Sequence, residues 1–459
     1  MPVIGTNLNI TTGWFPPFIL ILAFVLVLAS IHYQDGKWKK QLLWAVPTAL
    51  LLTLGVWLFN AIFHPVGYSF PFKFFYWVLL SFFALCLAIF GWKVNNWGIR
   101  VVSIVAVLVC VTLLGVRVNM NYEYYPTLSS LFGQEAAHQS SLPQLKAIQQ
   151  QVAKTGVLPS HGVTIEVQPP PTQSKFSAGP TYVYLPPAWF ANPQPRLPVI
   201  ELFPGIPGQS SDWTRAANAD VTSDSFASKH QGKAPVLVMP DINGTANVDT
   251  ECSDTTKFGK SQTYLTKDVP TYIIKTFNTQ SNEGTTVNGT KVPSGWGVAG
   301  LSEGGTCAAM VALRYPNEYK MFAEYSGDTN PVYGEGDPGQ PGVNQNTINV
   351  LYGGNAAAFY QNSPLSLLQG RFVGMGAWFA VGLQDDPHYV KATQSLHDLA
   401  AQPSARMASV CIDDFNGSHN FFFWAQAFTN SLPWMSWQLG LTEAPHALPV
   451  GASCIPPLH

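Results

Sequence analysis

Charge is what this chain has least of. Lys, Arg, Asp and Glu together make up 11% of its 459 residues, whereas hydrophobic residues make up 47%. That balance is unusual for a protein surrounded entirely by water. No basic block is present, so nothing points to nucleic acid, and a net charge of −2 specifies no partner. No Cys-x-x-Cys or Cys-x-x-His pair occurs among the cysteines, which argues against zinc. Neither a metal nor a cofactor is expected, and no protein partner is indicated. Internal repeats and low-complexity tracts are also missing.

The apolar excess is concentrated before residue 121. Four runs, about Phe15–Tyr33, Leu42–Phe63, Phe74–Trp92 and Val101–Met120, are long enough to cross a bilayer as helices. The first lacks a basic leader and a small-residue cleavage site, so it reads as a retained helix and not as a signal peptide. Lys37, Lys39 and Lys40 lie between the first two runs, and Lys93 and Arg100 between the last two. Residues 1–13 and the loop 64–71 contain no Lys or Arg. The positive-inside rule then predicts a multi-pass protein of the cell membrane, with both basic loops cytoplasmic and the N-terminus and everything after residue 120 outside. Trp14, Trp38, Tyr68, Trp92 and Trp97 fall near the ends of the runs, where amphipathic rings favour the headgroup layer.

Cysteine usage agrees with export. Cys86 and Cys110 lie inside apolar runs and read as inert small residues. Cys252, Cys307, Cys411 and Cys454 all follow the runs, an even number in a compartment that permits disulfides. Of three possible connectivities, Cys252–Cys307 with Cys411–Cys454 is the pattern expected.

Three parts are predicted: a four-helix transmembrane domain over 1–120, an extracytoplasmic linker or stalk over 121–160, and a catalytic domain over 161–459. In the last, strand signals at 163–167, 181–185, 197–203, 235–239, 295–301, 321–325, 377–381 and 408–412 alternate with helical stretches. That pattern predicts a mostly parallel, doubly wound α/β sheet. The Pro- and Gly-rich stretch 328–343 reads as a loop or cap over the sheet edge.

Within this pattern Gly300-x-Ser302-x-Gly304 follows a strand and opens an Ala-rich helix ended by Pro316. A turn so tight needs flanking residues without side chains, and it pushes the serine out above the sheet. A serine nucleophile needs a base, and the base an orienting carboxylate, in the chain order serine, acid, histidine. Asp385, with Asp386 in reserve, follows the strand 377–381; His419 lies in the loop after the next strand. His388, His397 and His446 are less well placed. The oxyanion would take one amide from Glu303 and one from Ile206, where Gly205 lets the backbone approach the substrate. Gly205, Glu303 and Asp386 are candidates for substrate contact.

Taken together, Tyr182-Val-Tyr-Leu-Pro-Pro187, Leu202-Phe-Pro-Gly-Ile-Pro-Gly208 with Asp212-Trp213, Thr250-Glu-Cys252, Thr263-Tyr-Leu-Thr-Lys-Asp268, Gly300–Gly305 and the His419 loop resemble the putative-esterase branch of the α/β-hydrolases, which includes esterase D-like enzymes and the antigen 85 mycolyltransferases. The likeness covers about residues 160–440. Many relatives have His-Gly or Asp-Gly where this chain has Pro204-Gly205, and a neutral residue where it has Glu303. The resemblance implies a serine ester hydrolase acting through an acyl-enzyme on Ser302, and the helices that would anchor it at the outer face favour a lipid or cell-envelope ester. Similar membrane-bound hydrolases remove amino acids from aminoacyl-phosphatidylglycerol, and a carboxylate at Glu303 would suit such a positively charged acyl group. The alternatives are transfer of an acyl chain to a sugar hydroxyl, as in mycolyl transfer, and a non-catalytic envelope-binding protein on a hydrolase fold.

Overall fold

The computed structural model describes residues 8–33, 36–63, 72–128, 131, 137–245, 248–283, 285–287, 290–292, 295–334 and 336–456. The chain forms two compact units, residues 1–133 and 134–459. The uncharged loop 64–71 lies outside the described residues.

The first unit contains α1 (Phe15–Ala29), α2 (Lys37–Phe63), α3 (Phe75–Gly91) and α4 (Trp97–Tyr122). Three of these, not four, are long and apolar enough to cross a membrane: α2, α3 with its leading turn from Phe72, and α4. The first run, expected to cross over Phe15–Tyr33, yields only 15 helical residues. At 1.5 Å per residue that is about 22 Å, short of the ~30 Å hydrocarbon core. Its end is held by a side chain. Gln41 Nε2 donates to the carbonyls of Ser30 (3.1 Å) and Leu87 (2.9 Å), and Gln41 Oε1 accepts from the His32 amide (3.0 Å).

Where the helices meet, the buried residues include Ala23, Ala45, Ala49, Ala84 and Ala106, small enough to let backbones approach. Leu43, Leu51, Ile62 and Phe63 of α2 face outward. A helix apolar all round, with its large side chains uncovered, suits a lipid surrounding. The Ile10 amide donates to the Pro126 carbonyl (3.0 Å) and the Leu128 amide to that of Leu8 (2.9 Å), so the segments before α1 and after α4 lie side by side.

The second unit is built on a ten-stranded sheet. Its strands are β1 (Gln139–Ser140), β2 (Val163–Val167), β3 (Thr181–Leu185), β4 (Val199–Phe203), β5 (Val236–Met239), β6 (Trp296–Leu301), β7 (Met321–Tyr325), β8 (Gly376–Gly382), β9 (Ser409–Phe415) and β10 (Ser453–Ile455). Their order is β1-β2-β3-β5-β4-β6-β7-β8-β9-β10. The run from β5 to β9 is parallel throughout; β3 and β10 join antiparallel at either side. Strands β4 to β8 are buried along their whole length, which explains their continuous apolar sequences.

Residues 121–160, expected as a linker, are divided. Those up to 133 belong to the first unit, while β1 and α5 (Leu142–Thr155) belong to the second. Helix α5 starts with a Ser141/Gln144 capping box and buries Leu145 and Val152 in the core of the sheet unit; α6 (Ala219–Lys229) and α7 (Val269–Phe277) follow it in the chain. Both disulfides of the expected pattern are present. Cys411–Cys454 ties β9 to β10, and Cys252–Cys307 ties the loop after β5 to α8 (Glu303–Arg314).

Candidate active site

In a parallel sheet the loops at the carboxyl ends of the strands gather on one side, and the site forms there. Ser302 occupies the turn between β6 and α8 with φ 55° and ψ −125°, a conformation that side chains resist. The glycines around it are steric necessities. A Cβ at Gly300 would fall on the Gly304 carbonyl, and one at Gly304 on the carbonyls of Phe203 and Pro204. The Ser302 amide is anchored to the Tyr325 carbonyl (2.9 Å).

His419 follows β9 in the loop 416–420. Its Nε2 is 2.8 Å from Ser302 Oγ, and its Nδ1 is 3.1 Å from Asp385 Oδ2. The ring is clamped: it stacks on Tyr389 at 4.1 Å and meets Trp424 edge-on at 4.8 Å. Tyr389 belongs to α9 (Pro387–Ala400) and Trp424 to α10 (Phe421–Gln438). Asn420 caps α10 by accepting from the Phe423 amide, which defines where the histidine loop ends. Gly382 lets this loop cross closely, because a Cβ there would meet the Gly417 carbonyl.

Asp385 and Asp386 have separate surroundings. The side chain of Asp385 is fully buried, with Oδ2 toward His419 and Oδ1 accepting from the Asp386 amide (2.7 Å). Asp386 is largely exposed and caps α9, accepting from the His388 amide (3.1 Å) and bonded to His388 Nδ1 (2.8 Å). Those bonds to His388 hold its carboxyl below the usual range. His397 pairs with the exposed Asp398, and His446 is exposed.

Gly205 sits against the nucleophile turn, where a Cβ would meet Ser302 Cβ at 3.0 Å and the Leu301 carbonyl at 3.2 Å. Ile206 follows it in the same loop, and Glu303 begins α8. The Glu303 side chain is buried, with Oε2 accepting from Asn243 Nδ2 (2.8 Å) and Oε1 unpartnered among the described residues. Asp249 and Glu251 lie beside it, with carboxylate oxygens of all three within 4.8 Å of one another. Burial, reinforced by neighbouring carboxylates, pushes Glu251 and Glu303 well above the usual carboxyl range, and burial alone, opposed by hydrogen bonds from Gly334 and Glu251, pushes Asp249 up to about 7. Reading the sequence for a triad overlooks Asp249, Glu251, Tyr389 and Trp424. The signal available for the carboxylates is the half-cystine next to Glu251; nothing local marks the two aromatic rings.

An activated hydroxyl, an imidazole within hydrogen-bond reach and a buried carboxylate behind it, set on a strained turn over a parallel sheet, define a serine hydrolase of the α/β type. The family model described as putative esterase matches residues 179–435, and the chain belongs to that family of carboxylic ester hydrolases. An uncharacterized protein of Corynebacterium glutamicum is 28% identical over 439 residues, covering 92% of this chain and 96% of its own. Among solved structures, a ferulic acid esterase (16% identity, TM-score 0.47) covers 61% of this chain and 98% of its own. An S-formylglutathione hydrolase from Agrobacterium tumefaciens (16% identity, TM-score 0.47) covers 62% and 98%.

Proposed function

We propose that the protein is a membrane-anchored ester hydrolase of the outer face, in which Ser302 is the nucleophile, His419 the base and Asp385 the orienting acid. The observation that carries this reading is the relay Ser302–His419–Asp385 at 2.8 and 3.1 Å. His419 Nε2 takes the hydroxyl proton as Ser302 Oγ attacks the ester carbonyl. Asp385 holds the ring orientation and stabilises the imidazolium. The amides of Glu303 and Ile206 receive the oxyanion. The imidazolium then protonates the leaving alcohol, and water, activated by the same ring, releases the acyl group from Ser302.

The location is argued from charge. Lys37, Lys39 and Lys40 open α2, and Lys93 and Arg100 lie at the junction of α3 and α4, so the two crossings by α2 and α3 leave both groups on one side, which the positive-inside rule makes the cytoplasmic one. The chain then leaves α4 on the opposite side and enters the catalytic unit there. Tethering at a bilayer raises the local concentration of a lipid ester, which favours a lipid or envelope substrate, with aminoacyl-phosphatidylglycerol the leading candidate.

The test is labelling by a fluorophosphonate probe, followed by lipid analysis of cells lacking the protein. Labelling that disappears in Ser302→Ala, with accumulation of an aminoacyl lipid, is the expected result. No labelling of the wild type would favour a non-catalytic protein, and a deficit of an acylated glycan would favour acyl transfer.

A further inference from the structure

The carboxylates of Asp249, Glu251 and Glu303 play no part in the relay, and burying them together is costly without a cation. Glu251 is 5% exposed and Glu303 7%, while Asp249 is partly open to solvent. Glu303 Oε1 has no hydrogen-bond partner among the described residues although its atom is buried. The trio is held from three directions. Asn243 fixes Glu303 Oε2, the Gly334 amide donates to Asp249 Oδ2 (2.9 Å), and Cys252–Cys307 joins the residue after Glu251 to α8.

We infer that these three carboxylates form a socket for a primary ammonium group on the acyl portion of the substrate, so that the enzyme selects esters of amino acids with a free amine. This rests on the ester-hydrolase reading of Ser302. A primary ammonium offers three N–H donors diverging at roughly tetrahedral angles. With donor–acceptor distances of about 2.8–2.9 Å, their acceptors stand about 4.7 Å apart. One carboxylate oxygen from each of the trio lies within 4.8 Å of the other two, close enough for three such donors to reach. A calcium ion would call for six to eight oxygens. Asn243, the adjacent amide, is already engaged: its Nδ2 by Glu303, and its Oδ1 by Thr250 at 3.4–3.5 Å.

Position supports the assignment. Adjacent Cα atoms are about 3.8 Å apart, so Glu303 stands directly beside the residue that carries the acyl group. Tyr389, stacked on His419, feels Asp328, Asp385 and Glu251 together, which places Glu251 within electrostatic reach of the ring beside the relay. A socket in the residue next to Ser302 would read the acyl group held on that serine and leave the alcohol unspecified.

The experiment compares kcat/KM of the full-length protein in detergent for p-nitrophenyl alaninate, its N-acetyl derivative and p-nitrophenyl propionate. The wild type should prefer the free amine over both neutral esters by at least about tenfold. Glu251→Gln and Asp249→Asn should each lower that ratio by about 10–100-fold, the loss expected of a charge-assisted hydrogen bond. Equal use of the three esters by the wild type overturns the socket without any variant. So does a ratio unchanged in well-folded variants. Stoichiometric binding of calcium chloride by the wild type, lost in Glu251→Gln, would assign the trio to a metal and overturn the ammonium. Hydrolysis that survives Ser302→Ala on every ester would instead remove the reading on which the socket rests.

Discussion

At the scale of single residues, the two adjacent aspartates illustrate how environment separates roles that sequence only ranks. Asp385 is buried toward His419, whereas Asp386 is exposed and engaged with His388 at the head of α9. Asp385→Asn should therefore lower kcat for p-nitrophenyl butyrate by about 10³–10⁴-fold, and Asp386→Asn should cost less than about tenfold. Ser302→Ala should lose at least about a thousandfold, with His419→Ala close behind, because the members act as a unit. A second prediction concerns Glu201, buried in β4 with Oε2 accepting from Tyr319 (2.7 Å) and Oε1 unpartnered. Burial pushes its carboxyl up to about 8. The folded state then binds this proton more tightly than the unfolded chain. Stability contributed by the protonated group is present at low pH and is lost as pH rises from the ordinary carboxyl range through about 8. Glu201→Gln should raise Tm at pH 8.5 relative to wild type, with the gain shrinking toward pH 5. A gain that does not depend on pH would refute the assignment.

At the scale of elements, α8 carries the nucleophile turn at one end and the Cys252–Cys307 bridge one turn further along. The bridge closes a loop with a sequence separation of 55 residues, so opening it enlarges the unfolded ensemble. Replacing both cysteines by serine should lower stability by about 2–4 kcal/mol in urea unfolding. It should also weaken discrimination among acyl groups more than it weakens hydrolysis of neutral esters, since the loop it anchors holds Glu251 and not the relay. Equal losses on all esters would mean that the bridge supports the whole site. The elements that carry the proposed triad were legible: β6, α8, β8 and β9 have the periodicity and punctuation of buried strands and a covering helix, and Ser302, Asp385 and His419 lie at or just beyond their ends. Helix α1 was misjudged because an apolar run measures composition. Where the helix ends, Gln41 from another helix bonds to Ser30 and His32, a contact no run of apolar residues announces.

At the scale of the molecule, an apolar unit precedes an esterase unit in one chain. Leu43, Leu51, Ile62 and Phe63 expose their side chains along α2, a surface that water would not tolerate over three successive long helices. The protein should stay in the membrane pellet after alkaline carbonate washing and require detergent for release. In intact spheroplasts, added protease should cut residues of the catalytic unit while leaving the Lys37–Lys40 segment intact. Cleavage at that segment instead would reverse the orientation proposed.

The sequence by itself determined the class of the catalytic unit, because alternating buried strands and helices, a serine between glycines and the order serine, acid, histidine are local or ordered along the chain. It also determined that apolar helices come first, since hydropathy is a property of composition. Tertiary structure alone decided which aspartate faces His419, for both follow the same strand and differ only in burial. It alone brought Tyr389 and Trp424 against the imidazole, and Asp249 and Glu251 to Glu303 across more than fifty residues of chain. Such contacts arise where the loops at the carboxyl ends of parallel strands converge, and no spacing within the chain encodes that meeting.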